Sequence, residues 1–227
     1  MVQRYALLSK LAASYNFPSS RIDLQFLVAN PSSYTYMDNR RFAYNCGNCH
    51  CTNKNCTCDK DCTQPSTQLS VPKLHANRNT WACYDRQYNH WPYGVEMVKG
   101  EKGMYSIPYA LQAGLQQRLK EYKHRAVVYM VGQNDTCNDG LPTCDQSCWK
   151  RQRFLPDEEW PCYRNHMDTR CPAMLEGPNR RTRGMRYIKY LEAYYGAKTH
   201  VLHIIPGVGH NATAMFGSSV GLEELFD

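Results

Sequence analysis

The sequence predicts an α/β domain, in which a parallel sheet carries helices on its faces. Apolar runs with the composition of buried strands alternate along the chain with segments of helical periodicity. Alternation of this kind is typical of parallel strands joined by right-handed crossovers. The length of 227 residues fits a single domain, 1–227. Since only three strands are predicted, we expect them to form one side of a larger sheet.

The first two predicted elements are a helix and a strand. Apolar and aromatic residues recur at helical spacing between Val2 and Ala13, and Leu24–Ala29 is an apolar run that ends at Asn30-Pro31. No capping residue precedes the helix. Two interpretations remain open: either the first turn frays, or the helix starts upstream and the chain is incomplete at its N-terminus.

Two further helix–strand units follow in the C-terminal half. A helical face of leucines precedes the strand that contains Val127–Val131. Asn179 is a candidate N-cap for the next helix, and Gly196 stands where a left-handed C-terminal residue is expected. The run Val201–Ile205 predicts the third strand, and residues 215–226 predict a closing amphipathic helix.

Twelve cysteines set two segments apart from the predicted core. Residues 45–65 are a polar, cysteine-rich insertion, and residues 137–171 are a cysteine-bearing loop insertion. Disulfides are the favoured interpretation of both, while a metal site in the first remains an alternative. This cysteine content predicts an extracellular or secretory location, although no signal peptide is visible in the sequence.

The formal net charge of +7 is modest, and its basic residues concentrate in two segments, 118–125 and 180–186. We predict that both are solvated helix faces; a surface for a polyanionic substrate is the alternative. No nucleic-acid-binding motif accompanies the charge, so no nucleic-acid partner is expected. No apolar run is long enough to predict a membrane span.

Two residues that follow predicted strands are the candidate catalytic residues. Asp135 comes just after the strand ending near Gly132, and His210 follows Val201–Ile205 in a glycine-bracketed turn. Polar side chains at the carboxyl ends of parallel strands collect at one edge of the sheet. An acid that orients a histidine makes up two of the three members of a Ser-His-Asp triad. The acid precedes the histidine in this chain, as it does in the class of triads with the chain order Ser, Asp, His. We therefore expect hydrogen-bonding distance between them.

Four segments resemble the α/β-hydrolase superfamily of serine hydrolases. They are Val28-Ala-Asn-Pro-Ser-Ser-Tyr-Thr-Tyr36, Tyr129-Met-Val-Gly-Gln-Asn-Asp135-Thr, Glu176-Gly-Pro-Asn-Arg-Arg-Thr-Arg-Gly184 and Pro206-Gly-Val-Gly-His210-Asn. The resemblance covers residues 1–45 and about 84–227. It implies a partial α/β-hydrolase fold in which Asp135 and His210 are catalytic, with the nucleophile on a G-x-S-x-G turn.

No G-x-S-x-G motif precedes Asp135, where the resemblance places the nucleophile. The stretch Gly217-Ser-Ser-Val-Gly221 fits the pattern but follows His210, and its serines, Ser218 and Ser219, are predicted to make loop hydrogen bonds. The resemblance therefore implies the C-terminal portion of an enzyme that cleaves an ester or related acyl bond in a small or polymeric substrate. Its serine would lie upstream of residue 1, and this chain alone would be inactive. Ser32 and Ser33 are predicted to make loop hydrogen bonds rather than to replace that serine. A non-catalytic, cysteine-rich binding protein is the alternative function. No cofactor is expected, and the oligomeric state stays open.

Overall fold

The computed structural model describes residues 2–8, 25–42, 49–51, 56–58, 68–72, 86–96, 114–136, 167–168, 171–177 and 179–226. The helices are α1 (Val2–Leu8), α2 (Leu115–Tyr122), α3 (Cys171–Met174), α4 (Arg180–Tyr195), α5 (Ala212–Phe216) and α6 (Ser219–Phe226), with a 3-10 turn at Arg86–Asn89. The strands are β1 (Gln25–Ala29), β2 (Cys49–Cys51), β3 (Cys56–Cys58), β4 (Ala126–Gly132) and β5 (Val201–Ile205).

The main sheet has three parallel strands in the order β1-β4-β5. Its register pairs Ala29 with Met130 and Gly132 with Ile205, so the three strands end at the same edge. The parallel sheet with flanking helices confirms the predicted α/β class.

Both faces of β4 are covered, which explains why this central strand is apolar at successive positions. On one face Val127 and Tyr129 join a core with residues from α1, α2 and α4. On the other face Val128 and Met130 pack with Met215 of α5. Because successive strand residues point to opposite faces, an alternating pattern would leave one face polar. β4 is therefore an inner strand covered on both faces, whereas the edge strand β5 is partly exposed at Val201 and Ile204.

Helix α4 begins and ends where the sequence predicts. The side chain of Asn179 accepts a hydrogen bond from the backbone N–H of Thr182, and Gly196 adopts a left-handed φ of 70°. The predicted closing helix is instead two short helices, α5 and α6. Asn211 caps α5, and the Ser218 hydroxyl accepts from the N–H of Gly221 in α6. A second capping side chain inside the amphipathic run thus starts a second helix.

The prediction that residues 180–186 form a solvated helix face is wrong. Arg180 and Arg183 are 1% and 0% exposed, and Arg186 is 8% exposed. The first turn of α4 lies beneath the loops at the carboxyl edge of the sheet, where these guanidinium groups have buried acceptors. The 118–125 segment is mixed: Lys120, Lys123 and His124 are exposed, whereas Arg125 is buried.

Most of the two predicted insertions lies outside the described residues. Within 45–65, β2 and β3 form an antiparallel pair whose register sets Cys49 opposite Cys58 and Cys51 opposite Cys56. Of 137–171, Cys171 is the first residue of α3. Disulfides and metal binding there stay predictions. No helix in the described part of the chain is long and apolar enough to cross a membrane.

Candidate active site

The structure brings Asp135 and His210 together at the carboxyl edge of the sheet. Nδ1 of His210 lies 3.0 Å from Oδ2 of Asp135. The Asp135 side chain is fully buried, whereas a third of the His210 side chain is exposed. The expected hydrogen-bonding distance is confirmed, and the catalytic role of the two residues stays a prediction.

The arrangement selects one tautomer of the neutral imidazole. A buried carboxylate accepts the proton of Nδ1, so Nε2 keeps its lone pair. Within the residues that the structure describes, no group forms a hydrogen bond to Nε2 of His210. A partly exposed ring with a basic nitrogen and a buried acid behind it is suited to general base chemistry.

The turn that carries His210 is held by the turn that carries Asp135. The backbone N–H of Gln133 donates to Ile205 O at 2.9 Å, and that of Asn134 donates to Val208 O at 2.8 Å. The side chain of Gln133 accepts from Gly207 N, and the side chain of Asn134 donates to Gly207 O. Gly207 has a left-handed φ of 69°, which suits a glycine. The two backbone bonds thus fix one turn against the other, and the two side-chain bonds lie on the exposed side of the turns.

Gly132 allows the close approach of these two turns. A Cβ at this position would lie 2.3 Å from the carbonyl oxygen of Val208 and 2.6 Å from that of Gly209. Both distances are far below van der Waals contact, and both atoms belong to backbone. Any side chain at position 132 would therefore push the His210 turn away from the strand end.

Arg180 is the cation next to the buried acid, and the sequence analysis missed it. Its Nη1 lies 3.7 Å from Oδ1 of Asp135, and both side chains are almost completely buried. Its Nε and Nη2 donate to the hydroxyl of Ser32 at 3.3 and 3.1 Å. A helical face shared with Tyr187 and Leu191 is the sequence signal that places Arg180 inward. The guanidinium compensates a carboxylate that has no access to water.

A second polar layer lies behind Arg180. Oε2 of Glu176 accepts a hydrogen bond from Tyr34 N at 2.7 Å. Arg183 donates to Gly177 O at 2.8 Å, to Asp168 O at 2.9 Å and to Ser32 O. Burial raises the pKa of Glu176 to about 8, although the charge of Arg183 acts in the opposite direction.

Asn30 is the second residue that the sequence analysis missed. It follows β1 with a left-handed φ of 41° and is 9% exposed. Its Oδ1 accepts from Gly132 N at 2.9 Å, and its Nδ2 donates to Gly209 O at 3.2 Å. The Asn-Pro pair indicates only a turn in the sequence, and no local pattern shows that its side chain spans three strand ends.

The candidate serines make structural hydrogen bonds. Ser32 accepts from Arg180, and the Ser33 hydroxyl accepts from Arg4 Nη2 at 3.2 Å, as the loop assignment predicts. Ser218 lies between α5 and α6, where its hydroxyl donates to Met215 O. In the described ranges no group of three or more His, Cys, Asp or Glu side chains is arranged to hold a metal ion.

Comparisons with known proteins give a distant structural likeness. No protein-family model matches the chain, and no curated protein matches it. Poly(aspartic acid) hydrolase-1 from Sphingomonas sp. KT-1 is similar in structure, with a TM-score of 0.43 and 14% sequence identity. The match covers 99% of this chain and 49% of that one, so the chain spans about half the length of that hydrolase.

Proposed function

We propose that Asp135 and His210 are the acid and base of a Ser-His-Asp active site that hydrolyses an ester or related acyl bond. The observation that carries the proposal is the 3.0 Å contact between a fully buried carboxylate and Nδ1 of a partly exposed imidazole. Both residues follow neighbouring parallel strands, where ligands of α/β proteins bind. We assign the domain to the α/β-hydrolase type on the same grounds, together with the motifs quoted above.

In this reaction His210 Nε2 removes the proton from a serine hydroxyl as the oxygen attacks the acyl carbon. The Asp135 carboxylate stabilises the imidazolium that forms and keeps the ring oriented. His210 then gives the proton to the leaving alcohol, and an acyl-enzyme remains. A water molecule, deprotonated by the same imidazole, releases the acid and restores the serine.

The serine of this proposal lies outside the 227 residues. No G-x-S-x-G motif precedes Asp135, and the match at Gly217–Gly221 follows His210, with its central Ser219 as the first residue of α6. No hydroxyl in the described residues hydrogen-bonds to His210. Ser32 and Ser33 are engaged by Arg180 and Arg4. The chain then supplies the acid and the base, and it is inactive without the segment that carries the nucleophile. The cysteine content supports a secreted enzyme.

A fluorophosphonate probe tests the proposal on protein purified from the organism that encodes it. The probe forms a covalent bond with an activated serine, and peptide mass spectrometry locates the adduct. We expect an adduct on a serine outside the present sequence, formed by native and not by heat-denatured protein. His210→Gln and Asp135→Asn variants of the same protein are expected to lose most of the labelling.

Two outcomes would contradict the proposal. An adduct on a serine within the 227 residues would place the nucleophile in this chain. No adduct, together with an intact mass of 26.3 kDa for the purified protein, would favour the non-catalytic binding protein instead.

A further inference from the structure

We propose that Asn30 is a positioning residue that holds the Asp135 and His210 turns in the register in which the two side chains pair. This inference deepens the proposed function. A catalytic role for Asn30 rests on the proposed function, whereas its effect on the Asp135–His210 pair does not. Asn30 forms no hydrogen bond with either side chain. It acts through the backbone of Gly132 and Gly209, one on each turn.

The two backbone groups that Asn30 bonds lie close to the paired residues along the chain. Gly209 directly precedes His210, so its carbonyl shares a peptide unit with the histidine. The Gly132 carbonyl accepts the backbone N–H of Asp135 at 3.1 Å, and its own N–H donates to Asn30. A displacement of either glycine therefore moves one of the paired side chains.

The Asn30 side chain has the chemistry to bond both turns at once. One amide offers an acceptor and a donor about 2 Å apart, so a single Asn30 bonds an N–H on one turn and a C=O on the other. Aspartate offers only acceptors when ionised, and glycine offers neither group. Asparagine also tolerates a left-handed φ of 41° better than most residues.

No side chain from either turn can take the place of Asn30 between the two turns. Gly132 and the Val208–Gly209 backbone are so close that no side chain fits between them. Asn30 approaches from the neighbouring strand end, where its own N–H donates to Met130 O at 2.8 Å. It therefore joins all three strand ends from a fixed anchor on β1.

The test reads the tautomer of His210 directly, without any catalysis. In the full chain labelled with ¹⁵N-histidine, long-range ¹H–¹⁵N NMR distinguishes a proton on Nδ1 from one on Nε2. We expect neutral His210 to carry its proton on Nδ1. In Asn30→Gly, which accepts the left-handed φ but loses both bonds, we expect the Nδ1–H to Nε2–H ratio to fall about tenfold.

Asn134→Ala is the matched control. Asn134 donates to Gly207 O at 3.2 Å, the length of the Asn30–Gly209 bond, but on the exposed side of the same turn. Water replaces that bond, so we expect the tautomer ratio to stay unchanged. Should Asn30→Gly fail to fold, Asn30→Asp keeps the acceptor for Gly132 and removes the donor for Gly209, and the same fall is expected at a pH where the new carboxyl is ionised.

An unchanged ratio in a folded Asn30 variant would overturn the proposal, and so would an equal fall in Asn134→Ala. The proposed function fails on a different observation, the absence of a fluorophosphonate adduct. A tautomer shift without any adduct would leave Asn30 as the positioning residue of a pair that is not catalytic.

Discussion

At the scale of single residues, the site depends on one buried charge and its compensation. Asp135 has no exposed surface, and only the guanidinium of Arg180 faces its Oδ1 in the described structure. The hydrogen bond to His210 occupies Oδ2. A carboxylate removed from water is costly unless a charge or hydrogen bonds replace its hydration. Arg180 is therefore a structural requirement of the acid, whatever reaction the site performs.

Replacing Arg180 by methionine should destabilise the protein by about 3 kcal/mol, because it leaves a buried carboxylate without its cation. The measurement is the free energy of unfolding from urea denaturation. Arg181→Met is the control: the neighbouring guanidinium donates to Gln133 O in an exposed hydrogen bond, so we expect a loss below about 1 kcal/mol. Equal losses in the two variants would show that the Arg180 charge is not needed.

At the scale of elements, helix α4 sets the position of Arg180 through its distance from the sheet. Gly184 packs closely on the sheet: a Cβ there would lie 2.9 Å from Val131 Cγ1 and 3.0 Å from the Tyr34 hydroxyl. The glycine costs helix propensity, about 1 kcal/mol relative to alanine. What it provides is a short distance between the helix and the central strand.

Gly184→Ala should lower the free energy of unfolding by about 1 to 2 kcal/mol, because the overpacking term exceeds the gain in helix propensity. Thermal or urea denaturation measures this change. Met185→Ala, at an exposed position of the same turn, is expected to change stability by less than about 0.5 kcal/mol. A stabilised Gly184→Ala would mean that α4 shifts away from β4 without cost.

The elements themselves could be predicted from the sequence, because each depends on local patterns. β1, β4 and β5 are apolar runs, and Asn179 and Gly196 are the ordinary ends of a helix. Helical spacing indicates that Arg180 points inward, but neither its pairing with Asp135 nor the bridging role of Asn30 could be predicted in this way. Their roles depend on partners that are distant along the chain: Asp135 for the arginine, and Gly132 and Gly209 for the asparagine.

At the scale of the whole molecule, the buried carboxyl of Glu176 couples folding to pH. Its pKa is raised to about 8 in the folded protein by burial, from a usual value of 4.5. Between these values the folded state keeps a proton that the unfolded state has released. The contribution of Glu176 to the free energy of unfolding is therefore present at low pH and is lost as the pH rises toward about 8.

We expect the free energy of unfolding to fall by about 3 kcal/mol between about pH 5 and pH 8, and Glu176→Gln to remove most of this slope. Glutamine keeps the acceptor for Tyr34 N and cannot ionise. The measurement is urea denaturation across that range. Glu223→Gln, at an exposed position in α6, should retain the slope of the parent protein. A slope that survives in Glu176→Gln would assign the pH dependence to other groups.

The parallel order β1-β4-β5 also has a consequence for how the chain reaches its native state. Gln25 pairs with Ala126, a contact between residues 101 positions apart, and no short hairpin links any two strands of this sheet. Pairing over such separations requires costly loop closure and slows folding. We therefore expect the acid and the imidazole to meet late, after the strands have docked, so that a protein trapped on the way would have its helices but no site.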